Sequence, residues 1–194
     1  TDQSVNYSSG TGTTTLVFNY TVQSGDTSAD LDYSSTTSLV LIGSLIKNGG
    51  GIDATLILPT PGTVDSLGGS KALVIDTTSP TVISVSSSTA NGTYKAGALI
   101  TILVTFNEVV TVTGTPTITL ETGATDRASS YISGSGTTTL AFSYTVQSGD
   151  SNSDLDYTST IALALSGGAI KDVALNGAII ILPSPGATNS LGSN

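Results

Sequence analysis

The chain repeats itself at a spacing of 124 residues, and this internal repeat limits the possible folds more than any other feature. The stretch TVQSGDTSADLDY at residues 21–33 returns as TVQSGDSNSDLDY at residues 145–157. Residues 1–70 align with residues 125–194 without a gap, and about half of the aligned positions are identical. The sequence therefore predicts one module used twice, and we call two residues 124 positions apart counterparts.

Apolar and polar residues alternate in many short segments, which is the period of a β-strand. In ALITILVTF, residues 98–106, the residues Ile100, Ile102, Val104 and Phe106 share one face. This pattern and the Gly, Asn, Ser and Pro residues between segments predict strands at 81–87, 98–106, 108–114, 115–122, 137–146, 159–166 and 178–183. No segment has a helical period. We therefore predict an all-β fold of immunoglobulin-like Greek-key β-sandwich repeats in tandem, in preference to a solenoid, whose coils repeat at much shorter periods.

The segment KALVIDTTSPTV, residues 71–82, is the predicted junction between two modules, because Pro80 interrupts strand pairing after an apolar run. Residues 1–79 are then the C-terminal part of one immunoglobulin-like repeat with its closing strand, and residues 80–194 are a second repeat that lacks its final strand. A sandwich without some of its strands exposes unpaired edges. We therefore expect head-to-tail neighbours, either further repeats of a longer array or other copies that exchange strands.

The composition excludes several functions. The 14 acidic and 5 basic residues give a net charge of -9, which disfavours nucleic acid as a partner and favours cations. The absence of cysteine and histidine removes disulfides, thiolate metal sites and the commonest general base, so we predict that the protein is not an enzyme. No apolar run reaches the roughly 18 to 20 residues of a membrane span, so membrane insertion is not expected.

Several ordered motifs resemble a known family of repeats. The motifs are VTFNEVVTVTGTPTITLETG, SGSGTTTLAFSYTVQSGD, DLDYTST, LPSPG and ALVIDTTSPTV. Together they resemble the tandem immunoglobulin-like and cadherin-like repeats of giant bacterial cell-surface adhesins, including the repeat of a cyanobacterial swimming-associated surface protein. The resemblance implies an extracellular location at the cell surface and a secreted stalk, filament or adhesin that calcium often stiffens.

The repeated acidic loop is a candidate calcium site. An extended backbone places Asp154 and Asp156 on one face, where like charges repel, and Asp150 lies just upstream. Calcium binds six to eight oxygen ligands and would relieve this repulsion. The counterparts Asp26, Asp30 and Asp32 form the same predicted set. The alternative is a solvated acidic turn without an ion.

The junction is a second candidate for calcium. Asp76 lies in the segment between modules and Glu108 directly follows a predicted strand, and the resemblance to cadherin-like linkers implies a site between domains. The alternative is that Asp76 accepts turn hydrogen bonds from Thr77 or Thr78 while Glu108 is solvated. Asp172 is not expected to be essential in every repeat, because its counterpart is Asn48.

Two functions therefore remain open. The chain is either a structural spacer that projects or links other parts of a surface fibre, or an adhesive module that itself binds a glycan or protein. The spacer is favoured because aromatic residues make up only 5% of the chain and most of them fall on strand positions expected to face the core. The sequence does not identify a ligand.

Overall fold

The computed structural model describes residues 2–194, and the chain divides into two compact units, Thr1–Thr78 and Ser79–Asn194. The strands are antiparallel, and the described helical segments are single turns. The predicted all-β class is therefore confirmed. None of these helical turns among residues 2–194 has the length and apolar character needed to cross a membrane.

The first unit contains one short hairpin and one helical turn. Strand β1 (Tyr7–Ser9) pairs with β2 (Val17–Phe18), and the register shifts between Tyr7 and Ser9 in a bulge. Gly10 follows with a φ of 111°, and a Cβ there would lie 2.0 Å from the carbonyl oxygen of Thr15, so the turn requires glycine. The helical turn α1 (Leu67–Ser70) lies in the long loop region that follows the hairpin.

The second unit is built on one curled antiparallel sheet. Its strands are β3 (Val82–Ser87), β4 (Leu99–Thr113), β5 (Thr117–Glu121), β6 (Arg127–Ser133), β7 (Thr137–Thr145), β8 (Asp156–Tyr157), β9 (Leu163–Ala164) and β10 (Ala169–Lys171). The 15-residue β4 pairs with β3, β7 and β10, and β5 pairs with β6, β8 and β9. A 3-10 turn, Leu191–Ser193, packs near β3 and β8.

Several predicted strand boundaries were wrong. The predicted strands 98–106 and 108–114 form the single strand β4, so Glu108 lies within a strand and not after one. It falls on the same alternation as the buried Phe106 and Val110, and this unbroken period of two explains the continuous strand. The segment 159–166 forms only the short β9, and 178–183 forms a single bridge at Ile179 instead of a strand. Strand β6 was missed because its sequence, RASSYIS, contains few apolar residues.

The core of the second unit lies inside the curled sheet. Leu140, Phe142 and Tyr144 alternate along β7 and are buried, as the period of two predicts. Residues from β3, β4 and β5 cover them, and the buried members of these strands are Val85, Ile100, Ile102, Val104, Phe106, Val110, Ile118 and Leu120.

The same apolar residues are less covered in the first unit. Phe18 is 38% exposed, whereas its counterpart Phe142 is 0% exposed. The strands that cover Phe142 in the second unit lie between residues 82 and 121. The difference in burial therefore reflects the strands that surround each phenylalanine, because the local sequence is nearly the same.

Candidate functional site

Asp150 is the centre of a hydrogen-bonded network in the acidic loop of the second unit. Its Oδ2 accepts the Tyr144 hydroxyl at 2.6 Å and the backbone N–H of Gln147 at 2.8 Å, and its Oδ1 pairs with Arg127 Nε at 2.9 Å. The Tyr144 hydroxyl lowers the pKa of Asp150 most, and Gln147 and Arg127 add to this effect against the opposing effect of burial. The side chain of Asp150 is only 5% exposed, so its carboxylate is held by these hydrogen bonds and is not solvated.

Asp26 makes the equivalent contacts in the first unit. It accepts the Tyr20 hydroxyl at 2.6 Å and the Gln23 N–H at 2.7 Å. Gln3, the counterpart of Arg127, donates its amide to Asp26 at 2.9 Å, so a neutral donor replaces the guanidinium. The hydrogen bond from Tyr20 is again the first cause that lowers the pKa of the aspartate. The network is therefore conserved between the two copies although one partner has changed its charge.

Asp156 and its counterpart Asp32 close a different turn. Asp156 accepts the N–H of Tyr157 at 2.9 Å and that of Gly186 at 2.8 Å, and Asp32 accepts the N–H of Gly62 at 3.0 Å. Burial raises the pKa of Asp32, but the hydrogen bonds that Gly62, Ser66 and other donors make to its carboxylate outweigh burial and lower it. Both carboxylates thus fasten the LPxPG segment to the acidic loop.

Asp30 and Asp154 differ between the units. Asp30 accepts the backbone N–H of Leu73 at 3.2 Å. Asp154 is exposed, and its own N–H donates to the Asn152 side chain at 3.0 Å. The two aspartates therefore have the same sequence setting and different partners.

The structure does not gather the three carboxylates of either acidic loop around one point. Among residues 2–194, neither Asp150, Asp154 and Asp156 nor their counterparts form a set of carboxylate oxygens within 4.8 Å of one another. Asp150 and Asp156 are instead occupied by backbone and side-chain donors, and so are all three of the counterparts. Calcium at these loops stays a prediction, and their observed role is to hold turns together.

At the predicted junction, Asp76 forms the hydrogen-bonded turn that is the alternative to a metal site. Its Oδ1 accepts the N–H of Thr78 at 2.9 Å within the first unit. In the second unit, Glu108 and Asp172 have carboxylate oxygens within 4.8 Å of each other, and Asp172 is 2% exposed. Asp172 also accepts the N–H and the side-chain N–H of Asn176, each at 2.7 Å.

The sequence does not predict Asp172 as a metal ligand needed in every repeat, because its counterpart is Asn48. In the structure, both residues accept hydrogen bonds that close a turn. Asn48 Oδ1 accepts the N–H groups of Gly50 and Ile52 at 2.9 and 3.0 Å, so an amide closes the first unit's turn. The turn therefore needs an acceptor and not a charge. Only the second unit has a charged residue at this position. The sequence could show that Asp172 lies near Glu108 only if β4 were known to be continuous and to run beside β10.

These contacts describe an all-β protein in which aspartates fasten loops to a sheet. Comparisons with protein-family models, curated proteins and solved structures found no match for the chain.

Proposed function

We propose that the chain is a structural repeat region of an extracellular bacterial surface fibre or adhesin stalk, made of immunoglobulin-like Greek-key modules in tandem. The observation that carries this proposal is the recurrence of one framework of contacts at a spacing of 124 residues. The hairpin pairs Tyr7 with Phe18 and Ser9 with Val17, and the counterparts Tyr131, Phe142, Ser133 and Ala141 pair in the same register with the same bulge. A spacer requires modules of constant geometry, and the recurrence of this hairpin supports that role.

The use of the acidic residues supports the same role. Asp150 and Asp156 contact donors of their own module, and their counterparts do the same. Side chains that are committed to fixing loops in each copy are suited to a rigid unit that is repeated, rather than to a site that must recognise a variable ligand. The excess of 14 acidic over 5 basic residues keeps such modules soluble and mutually repulsive.

Calcium stiffening is the second part of the proposal. Glu108 and Asp172 bring two carboxylates together in the second unit, where their repulsion would be relieved by a hard cation. From the sequence, Asp76 and Glu108 are the predicted calcium ligands at the junction, and Asp172 is not one of them. An ion with a dissociation constant well below the calcium concentration stabilises by mass action, by about 2.7 kcal/mol at a hundredfold excess.

Surface location and fibre formation test the first part. Antibodies against the chain should label intact cells of the source organism, and the label should disappear after protease treatment of those cells. Electron microscopy of the shed material should show fibres that bind the same antibody. Labelling only after cell lysis would contradict the proposal, and specific binding of the isolated chain to a glycan array would favour the adhesive module instead.

Thermal unfolding in calcium and in chelator tests the second part. The melting temperature should rise with calcium, and the rise should be lost in Asp172→Asn, which keeps the turn acceptor that Asn48 provides in the first unit. Asp65→Asn is the matched control because its counterpart is already Asn189. A melting temperature that is unchanged by calcium in the unsubstituted chain would refute calcium stiffening.

A further inference from the structure

Three asparagines of the chain are each followed by glycine, and they are Asn48, Asn91 and Asn176. In such a pair, the backbone nitrogen of the glycine can attack the side-chain carbonyl carbon of the asparagine, because glycine has no Cβ that would shield this nitrogen. The attack closes a succinimide ring and releases the side-chain nitrogen as ammonia. The three pairs have the same chemistry in different surroundings, so the structure determines which of them reacts fastest.

The amide of Asn48 is held in an arrangement that favours this attack. Its Oδ1 accepts the backbone N–H groups of Gly50 at 2.9 Å and Ile52 at 3.0 Å. Negative charge develops on this oxygen when the carbonyl carbon is attacked, and two N–H donors aimed at such an oxygen form an oxyanion hole. Asn48 and Gly49 are exposed, and within the described part of the chain neither the Asn48 Nδ2 nor the Gly49 N–H donates a hydrogen bond. The attacking nitrogen is therefore open to base, and the leaving nitrogen is open to water.

The other two asparagines lack this arrangement. Asn91 is exposed, and its side chain makes no hydrogen bond to the residues that the structure describes. The half-buried Asn176 donates its Nδ2 to Asp172 Oδ2 at 2.7 Å. This contact holds the leaving nitrogen and places one negative charge close to the oxygen on which a second would develop, which disfavours the reaction. Asn91 is thus the reference without donors, and Asn176 is the protected pair.

We propose that Asn48 is a self-modification site, at which the folded turn accelerates conversion of the side-chain amide to a carboxylate. Hydroxide removes the proton of the Gly49 N–H, and the nitrogen forms a bond to Cγ of Asn48. The Cγ–Nδ2 bond then breaks, and Nδ2 takes a proton from water and leaves as ammonia. A water molecule opens the succinimide, which yields aspartate or isoaspartate at position 48 and adds one negative charge to the net charge of -9.

The second unit shows that this turn accommodates the carboxylate product. Asp172 and Asn176 are the counterparts of Asn48 and Ile52, and Asp172 Oδ1 accepts the Asn176 N–H at 2.7 Å. An ionised acceptor makes a shorter and stronger hydrogen bond than a neutral one. Aspartate at position 48 would therefore convert the neutral turn of the first unit into the charged form that the second unit already has. The inference goes beyond the proposed function and does not rest on it, because the reaction needs only the chain and water.

Peptide mapping by mass spectrometry measures the reaction at each site. The full chain is incubated in its folded state at mildly alkaline pH, and the converted fraction of each asparagine is followed over time. We expect Asn48 to react at least about threefold faster than Asn91, a modest factor because donors in contact with water stabilise an anion less than an enclosed oxyanion hole does. Asn176 should be the slowest of the three.

Unfolding the chain separates the effect of the turn from that of the dipeptide. In guanidinium chloride, Asn48 loses its two donors and Asn176 loses its contact with Asp172, so the three rates should become equal. Relative to Asn91, the rate at Asn48 should fall on unfolding and the rate at Asn176 should rise. A folded chain in which Asn48 reacts no faster than Asn91 would overturn the proposal. So would a rise at Asn48 relative to Asn91 on unfolding, because the turn would then protect the amide.

Two variants complete the test. Gly49→Ala adds a methyl group beside the attacking nitrogen, and a Cβ at this position meets no atom within 4 Å, so the turn is retained. This variant should slow the reaction at Asn48 and leave Asn91 unchanged; an unchanged rate at Asn48 would exclude the Gly49 nitrogen as the nucleophile. Asn48→Asp installs the product and should melt at the temperature of the freshly purified unsubstituted chain or above it. A lower melting temperature would contradict a turn that accommodates the carboxylate.

Discussion

Replacing the same phenylalanine in the two units measures how much of the stability comes from the surrounding strands. Phe142→Ala removes a ring that is 0% exposed, paired across the sheet with Ile102 and in edge contact with Tyr131 at a centroid distance of 5.9 Å. Phe18→Ala removes a ring that is 38% exposed and contacts Tyr7 at 6.2 Å. The local contacts are matched, so the difference between the variants isolates burial.

The expected losses in the free energy of unfolding differ because only Phe142→Ala leaves a closed cavity. Truncating a buried phenylalanine to alanine costs about 3 to 5 kcal/mol through lost burial and the cavity left behind. Partial burial without an enclosed cavity should cost Phe18→Ala about 1 to 2 kcal/mol. Since a domain has about 5 to 15 kcal/mol of net stability, Phe142→Ala should remove a large fraction of it from the second unit.

Urea unfolding followed by far-UV circular dichroism gives the free energies, and hydrogen exchange with mass spectrometry assigns each loss to a unit. Phe142→Leu is the control for retained apolar volume and should recover most of the loss, because the cavity is smaller. Equal destabilisation by Phe142→Ala and Phe18→Ala, with protection lost equally in both hairpins, would refute the role assigned to the covering strands.

Three further predictions follow from polar groups. The pKa of Asp150 is lowered in the folded protein, so the ionised carboxylate stabilises the fold. This stabilisation is fully present above the unfolded pKa of about 3.9 and is lost as the pH falls through the lower folded pKa. Asp150→Asn should therefore reduce the loss of stability at acid pH. The pKa values of Tyr144 and Tyr157 are raised to about 12, mainly by burial, so ultraviolet titration should show two phenols that ionise late, and stability should fall as the pH rises from about 10 through this value. Ser66→Ala removes the helix cap that accepts the Gly69 N–H and should lower the free energy of unfolding by about 0.5 to 2 kcal/mol. Ser190→Ala removes a buried hydroxyl that has no partner among residues 2–194, so it should leave stability unchanged or increase it. Calorimetry measures both variants, and a larger loss for Ser190→Ala than for Ser66→Ala would contradict the geometry.

The acidic loops show how far the sequence could predict the candidate site. It identified Asp150, Asp154 and Asp156 and their counterparts as a repeated feature, but it could not separate a metal site from a hydrogen-bonded turn. The partners of Asp150 include Arg127, which lies 23 residues upstream on the missed strand β6. That contact depends on the pairing of β6 with β7, a long-range register that no local pattern encodes.

The β class and the duplication could be predicted from the sequence, because a period of two and a spacing of 124 residues are visible in the residues alone. The sequence also placed the side chains that share a face in β4 and β7. The local sequence could not predict burial, because Phe142 is buried and Phe18 is exposed in nearly identical segments and the difference depends on distant strands. The contact between Asp150 and Arg127 likewise depends on the tertiary structure, since hydrogen bonds between remote segments depend on which strands lie side by side.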